Sequence, residues 1–289
     1  MTTGSQARNV FGQSFQNPIL LAAGTAGFGR ELDGIVELDR LGGIVTKAVS
    51  LEARHGNASP RVAEFPGGML NSVGLANPGL KAVRRDALPW LVSRLNAAKV
   101  LVNVVGFAER EYAEVIGGLE EVPGIAAYEI NLSCPNTSAG GVEFGADPEV
   151  VRRVLAHCRA ATRRPLIAKL SPTLPDPALI AEAAVSGGAD GLSAVNTMPG
   201  YLNGTAGPRL GNGNGGMSGP ALLPIGVLTV RRIRDRLPTV PLIGVGGIRS
   251  AADVRQYIAA GAELVAIGTA QLADPRLPLR IIAELERDG

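Results

Sequence analysis

Two lysines, a cysteine and a set of carboxamides recur along this chain at the places where short apolar runs end. Lys47 lies in the run Gly43–Val49 and Asn103 in Val100–Gly106. Asn131 closes Ala126–Ser133 with Cys134 just beyond it, Lys169 lies in Leu166–Leu170, and Asn196 with Thr197 follows Gly191. Gly246-Gly247 and Gly268-Thr269 end the last two runs. Each residue alone has an ordinary explanation: a lone asparagine satisfies a loop backbone, and a lone strand lysine snorkels to water. Seven strand ends of this kind are harder to dismiss. A polar group buried without a partner costs roughly 1–3 kcal/mol, so amides and ammonium groups converging on one cavity imply a polar ligand that pairs with them. Lysine is also scarce. Lys47, Lys81, Lys99 and Lys169 are the only lysines among 28 basic residues, so one inside a strand pattern needs its own reason.

Cys134 sits in Glu129-Ile-Asn-Leu-Ser-Cys-Pro-Asn136, ahead of the glycine-bearing stretch Thr137–Gly145, and that setting reads as an accessible thiol. Cys158, inside the helical pattern Val150–Ala161, reads as a small buried hydrophobe. Of the two histidines, His55 lies in an arginine-flanked loop and His157 beside Cys158, both away from strand ends. Gly246-Gly247-Ile248 leads straight into a capped helix near Ser250. Glycines let phosphate approach backbone N–H groups, and a helix N-terminus favours its charge. With the lysines, this suggests a phosphorylated cofactor across the mouth of the fold.

The elements that must position these groups follow one period. Candidate strands are Pro18–Gly24, Gly43–Val49, Val100–Gly106, Ala126–Ser133, Leu166–Leu170, Gly191–Asn196, Leu242–Gly246 and Leu264–Gly268. Runs this apolar suit parallel strands covered on both faces. Between them lie amphipathic stretches: Pro148–Ala161, Asp176–Ser186, Pro224–Arg236 and Ala251–Ala260. Asp147 and Ser250 stand at helix starts, Ser250 with Asp253 as a capping box. Eight βα units in this length predict an α/β fold, a (β/α)8 TIM barrel, as a single domain over 1–289, with its active site at the C-terminal ends of the strands. The alternative, an open doubly wound sheet, lacks its glycine fingerprint, because Gly24-Thr-Ala-Gly-Phe-Gly29 has the wrong spacing. Val10–Phe15 is expected to form a hairpin closing the barrel floor. Ser50–Asn77 and Thr197–Gly219 are too long for plain connectors and are candidate site loops.

The bulk composition narrows the class. The 289 residues are 46% hydrophobic and 19% charged, with a formal net charge of +2. That suits one sizeable core and gives no strong pull toward nucleic acid or an anionic membrane. The apolar runs are strand-sized, far short of the roughly 20 residues that span a bilayer, and the polar first residues lack a secretion signal. A cytoplasmic enzyme is expected, without nucleic-acid or membrane partners. Two cysteines with no CxxC pair argue against a disulfide framework, a structural zinc site or an iron–sulfur cluster held by this chain alone, and no metal site is expected.

Four motifs in order carry a resemblance: Asn71-Ser-Val-Gly-Leu75 with Asn77-Pro-Gly79, Glu129-Ile-Asn-Leu-Ser-Cys-Pro-Asn136, Asn196-Thr197, and Gly215-Gly-Met-Ser-Gly-Pro-Ala221. From about Asn17 to its end the chain resembles the dihydroorotate dehydrogenases, specifically the bacterial cysteine-base branch. The resemblance implies FMN-dependent oxidation of dihydroorotate to orotate in pyrimidine biosynthesis. Hydride would pass from C6 to flavin N5, and the C5 proton to Cys134, where membrane-associated relatives use serine. Lys47 would touch flavin and substrate. Asn71, Asn131, Asn196 and Thr197 would hydrogen-bond the pyrimidine and its carboxylate, with Ser72, Val73, Gly74 and Leu75 lining the pocket. Ala23, Gly24, Ala48, Asn103, Asn131, Val195 and Gly219 would contact FMN; Lys169 would stabilise its reduced ring, and Gly246, Gly247, Gly268 and Thr269 would hold its phosphate.

Ala76-Asn-Pro-Gly79, Leu88-Pro-Trp-Leu91 and Gly140-Gly-Val-Glu-Phe-Gly145 are similar to the NAD-linked, partner-dependent group rather than to the fumarate-linked homodimers, which are the alternative within the family. That implies a homodimer joined to a second subunit carrying FAD and a [2Fe–2S] cluster. One departure is Ala23, where the family often has serine; backbone or Thr25 would then supply the flavin hydrogen bond. The glycine-rich stretch Tyr201–Asn214 is also short of the family's charged hairpin. Outside this reading stand a barrel lyase or aldolase with Lys169 as Schiff base, a flavin enzyme reducing uridine in transfer RNA, and a non-catalytic flavin- or partner-binding barrel. A yellow protein argues against the first, and the second wants a basic surface and an added helical region.

Overall fold

The structure, a computed structural model, describes residues 6–133, 135–136 and 142–288. Eight parallel strands close into a barrel: β1 (Ile19–Leu21), β2 (Gly43–Val45), β3 (Lys99–Val104), β4 (Ile125–Asn131), β5 (Leu166–Leu170), β6 (Gly191–Ala194), β7 (Leu242–Val245) and β8 (Leu264–Ile267). Their order around the barrel is their order in the chain, with β8 pairing back onto β1 through Val265↔Ile19. All eight expected strands are present and all but β5 differ from their expected bounds. The differences lie mostly at the C-terminal ends, where the chain leaves the ladder for the loops that build the mouth.

Alternation along each strand divides the apolar residues into two cores. Leu20, Val45, Leu101, Ala127, Ile167, Ile243 and Leu264 point inward and form the barrel interior, together with Val10 and Phe15. Those last two belong to the hairpin Arg8–Val10/Gln13–Phe15, which plugs the N-terminal end as expected. The opposite parity meets the helices α1 (Glu111–Leu119), α2 (Pro148–Ala161), α3 (Pro177–Ser186), α4 (Leu222–Arg236), α5 (Ala251–Ala260) and α6 (Leu277–Asp288). Asp147 caps α2 by accepting from Glu149 N, and Ser250 caps α5 by accepting from Asp253 N. The Asp253 carboxylate reaches back to Arg249 N, a capping box displaced by one residue. Cys158 is fully buried in α2, as its helical setting predicts.

The β1–β2 connection differs from the plain alternation of strand and helix. It carries two short 3₁₀ turns, Arg30–Leu32 and Leu38–Arg40, in a segment where Gly24, Gly27, Gly29 and Gly34 all have positive φ. Backbone of that kind cannot continue an α-helix. The two long loops also fold on each other. Val62–Phe65 and Gly68–Asn71 from one, and Met198–Tyr201 and Asn214–Ser218 from the other, make a four-stranded antiparallel sheet. Leu70, Ala63 and Leu210 give it a small core of its own. Among the described residues no helix is long and apolar enough to cross a membrane.

Candidate active site

The inward parity that fills the barrel with aliphatic residues turns polar toward the strands' C-terminal ends. Glu129 and Asn131 follow Ala127 on the same face of β4, Asn103 follows Leu101 on β3, and Lys169 follows Ile167 on β5. The register sets Asn103 opposite Glu129 and Lys169 opposite Asn131. Glu129 Oε1 accepts from Asn103 Nδ2 at 2.7 Å and from Lys169 Nζ at 3.3 Å. Lys169 is 6% exposed and Glu129 2%. The buried ammonium therefore has a carboxylate on its interior side. Ser193 is opposite Lys169 on β6, and its buried hydroxyl has no hydrogen-bond partner among the described residues.

One step outward, carboxamides from separate segments meet. Asn196 Nδ2 donates to Asn131 Oδ1 at 3.4 Å, and Asn196 Oδ1 accepts from Thr197 N at 2.8 Å. Thr197 lies over Gly216, where a side chain would collide with its hydroxyl. Gly216 is the register partner of Asn71, whose Nδ2 donates to the Gly216 carbonyl at 3.2 Å. Asn71, Gly216, Thr197, Asn196 and Asn131 thus follow one another across the mouth, ending at the ladder partner of Lys169.

The segment after Asn71 is held in an unusual shape. Gly74 and Leu75 both have positive φ, which for leucine is strained. Two asparagines brace it: Asn57 donates to Ser72 Oγ at 2.8 Å, and Asn77 donates to the Leu75 carbonyl at 2.8 Å. Val73 O accepts from Asn57 N. Loop asparagines of this sort carry no strand-end signal, which is why Asn57 escapes a reading of the sequence by periodicity.

Lys47 continues the inward parity of β2. Its N–H donates to Gly27 O at 2.8 Å, and among the described residues its ammonium has no hydrogen-bond or ion-pair partner. The preceding Thr46 ties it to β3 by accepting from Asn103 N at 3.3 Å. Ala48 packs into the outer core, leaving only its backbone to face a ligand; Val195 likewise spends its N–H on Val245 O. Ala23 lies against the barrel interior. Thr25, the candidate substitute for a serine there, donates its hydroxyl to Ala22 O at 2.8 Å, so it is left as an acceptor.

The glycines after β7 and β8 differ in why they are glycine. A Cβ on Gly247 would come within 2.5 Å of Leu223 N, and its φ is +74°, so the chain itself demands glycine where this loop meets the start of α4. At Gly268 the nearest atoms to such a Cβ are Ala22 Cβ at 3.6 Å and Thr25 Cγ2 at 3.8 Å, so no close contact forbids a side chain. Gly24 has nothing within 4 Å. Thr269 and Ser218 share a 2.7 Å hydrogen bond, joining the end of β8 to Gly219. Tyr257 of α5 is fully buried and its hydroxyl reaches the carbonyls of Val245 at 2.9 Å and Gly246 at 2.8 Å. Burial pushes that hydroxyl's pKa up, so it stays a donor.

Cys134 lies outside the described residues; after it in the chain, Pro135–Asn136 and Val142–Glu143 pair as a short antiparallel ladder. Cys158 is buried in α2, and that burial pushes its thiol up to about 12.

Comparison with known proteins gives a consistent result. The family model for dihydroorotate dehydrogenase matches residues 5–288. The protein from Pelobacter propionicus named dihydroorotate dehydrogenase B (NAD(+)), catalytic subunit, is 44% identical over 281 residues, covering 96% of this chain and 91% of that relative. Proteins of the same name from Desulforudis audaxviator and a Geobacillus species are 45% and 43% identical, covering 96% and 95% of this chain and 90% and 87% of their own.

Proposed function

Because the chain belongs to the dihydroorotate dehydrogenase family, we propose that it is the catalytic subunit of an NAD-linked enzyme oxidising dihydroorotate to orotate in pyrimidine biosynthesis. One observation carries the substrate assignment. Asn71, Asn131 and the pair Asn196-Thr197 come from three segments and gather beside the buried Lys169, the ladder partner of Asn131. Carboxamides supply both donors and acceptors, as the imide edge of a pyrimidine requires, and Lys47 offers a cation for the carboxylate.

The residues present also fit a phosphorylated flavin, FMN. Ser193 keeps a buried hydroxyl without a partner among the described residues, and Gly24 and Gly268 leave backbone uncovered at the barrel mouth. Asn103, Asn131, Lys169 and Lys47 would hold the flavin ring. Gly219, Gly246, Gly247, Gly268 and Thr269 would hold the phosphate, in the loops after strands seven and eight where barrels commonly bind it. When bound, the flavin supplies the hydride acceptor for C6 of the substrate.

The chain's own part is to bind, orient and move one proton. Cys134 is the base that takes the proton from C5; a free thiol ionises near 8.5, so it works better as pH rises toward that value. The braced segment Asn71–Leu75 fixes the substrate against the lysines, with Ser72, Val73 and Gly74 as pocket wall. The relatives are named catalytic subunits, and two cysteines are too few for a cluster of four thiolates. A homodimer joined to a second subunit carrying FAD and [2Fe–2S] in the cytoplasm completes the proposal.

The test is an absorption spectrum of the purified protein before and after anaerobic dihydroorotate. A yellow protein that bleaches on addition supports the reading; a colourless one that does not take up FMN overturns it.

A further inference from the structure

We infer that Glu129 is a positioning residue that aims the Lys169 ammonium at the barrel mouth and offsets its charge, thereby lowering the reduction potential of the bound flavin. The inference rests on the flavin reading above.

Glu129 is out of place by composition. It interrupts the strand Ile125–Asn131 between Tyr128 and Ile130, and it points into the barrel with Asn103 opposite it on β3, Ile167 opposite it on β5 and the aliphatic interior below. A buried carboxylate costs several kcal/mol unless it is paired, and replacing a buried ion pair with apolar residues often leaves stability unchanged or raises it. Stability alone therefore does not account for the pair. Geometry does. Oε1 takes hydrogen bonds from both Asn103 Nδ2 and Lys169 Nζ, so Asn103 fixes the carboxylate and the carboxylate fixes the ammonium. The ladder places Ile167, not Lys169, opposite Glu129. Lys169 is thus one inward-facing step nearer the mouth, with its countercharge on the interior side. A ligand above it meets the ammonium first and the carboxylate behind it.

A flavin gains negative charge on reduction, so it feels both members of the pair, the cation from closer range. Lys169 alone would favour the reduced form strongly; with Glu129 behind it the preference is moderated. An electron donor that must hand electrons onward gains from that moderation, because a flavin held too firmly in its reduced state passes electrons on slowly.

The experiment is a midpoint-potential titration of the FMN-loaded protein in four forms: wild type, Glu129→Gln, Lys169→Gln and the double variant. Glutamine keeps the hydrogen bonds of Glu129 and removes only its charge. E129Q is expected to favour reduced over oxidised flavin by about tenfold, a potential about 30 mV higher for a two-electron couple. K169Q should lie below wild type, and adding E129Q to it should raise the potential again by a similar step. The double variant has no unpaired buried charge, so it keeps the comparison available where a single variant does not fold. A purely structural role for Glu129 predicts an E129Q potential equal to or below wild type, or a double variant equal to K169Q. Either result overturns the inference while leaving the function intact, provided that wild type binds FMN and is reduced by dihydroorotate. A wild type that binds no FMN overturns both.

Discussion

Asn196 Nδ2 reaches Asn131 Oδ1 across 3.4 Å, joining two strand ends that lie 65 residues apart in the chain. The same side chain accepts from Thr197 N, and its backbone N–H donates to Leu170 O. Asn196 therefore holds the amide layer together from its centre. On the proposed reading Asn196→Ala removes a substrate contact, and among the described residues it leaves Asn131 Oδ1 with Ser133 N alone as its donor. Orotate affinity is expected to fall by about tenfold, the effect of one hydrogen bond of about 1.4 kcal/mol, while thermal stability changes little, because the site faces the open mouth. Equilibrium titration of orotate followed by flavin absorbance checks this; unchanged affinity would remove Asn196 from the substrate site.

The two cysteines are expected to separate completely in their chemistry. Cys134→Ala should slow flavin reduction by dihydroorotate by about 10²–10⁴-fold, the usual loss for a general base, and abolish the rise in rate with pH. In the same variant the remaining thiol is Cys158, buried in α2 and pushed up to about 12. It should stay silent toward a thiol reagent at neutral pH until the protein is unfolded, then react once per chain. A Cys158 that reacts in the native protein contradicts its burial.

Tyr257 predicts a link between fold and cofactor. Its hydroxyl serves the carbonyls of Val245 and Gly246, and its ring fills the space that Gly226 and Gly244 leave open. Tyr257→Phe keeps the ring and leaves both carbonyls without that donor, at a cost of about 1–3 kcal/mol. The loss falls at the start of the Gly246-Gly247 loop, so FMN should dissociate more readily as the melting temperature drops. Gly247→Ala should be harsher, since its Cβ meets the backbone of Leu223 rather than a side chain that can turn away. Loss of stability with FMN affinity preserved in both variants would detach this loop from cofactor binding.

Much of this arrangement was legible in the sequence because barrel strands are short, apolar and evenly spaced, and their ends carry the chemistry. Lys47, Asn103, Asn131, Lys169 and Asn196 all stand out against apolar neighbours. Glu129 was visible in the same strand as Asn131, two residues away and so on the same face, but its partner Lys169 is fixed by strand register, which periodicity does not supply. Tyr257 was hidden for another reason. It reads as a core aromatic of an amphipathic helix, and only the three-dimensional approach of α5 to β7 gives its hydroxyl a task. Asn57 and Asn77 brace the pocket segment from within one loop, where no repeating pattern constrains the fold. The joining of the two long loops into one sheet likewise depends on long-range antiparallel pairing, Asn71 with Gly216, that neither segment signals alone.

Asp39 gives a prediction remote from the chemistry, in the turn that leads into β2. Its Oδ1 accepts from the backbone N–H groups of Asn96, Ala97 and Ala98 at 2.8, 2.8 and 3.0 Å, tying that turn to the entry of β3. Burial pushes its carboxyl up, but the N–H groups of Ala98, Ala97 and Asn96 together outweigh it and hold the pKa below the ordinary value of 3.8. A carboxyl whose pKa is lower folded than unfolded favours the folded state wherever it is ionised. That contribution is complete above about pH 4 and disappears as pH falls through the lowered folded-state value. Asp39→Ala should therefore destabilise the protein at neutral pH by about 1–2 kcal/mol, the net loss of charge-assisted hydrogen bonds at a partly exposed site. The difference from wild type should shrink as the pH is taken below 4. Urea unfolding at pH 7 and pH 3 measures both, and a penalty equally large at the two pH values would show that packing, not the carboxylate's charge, holds this turn.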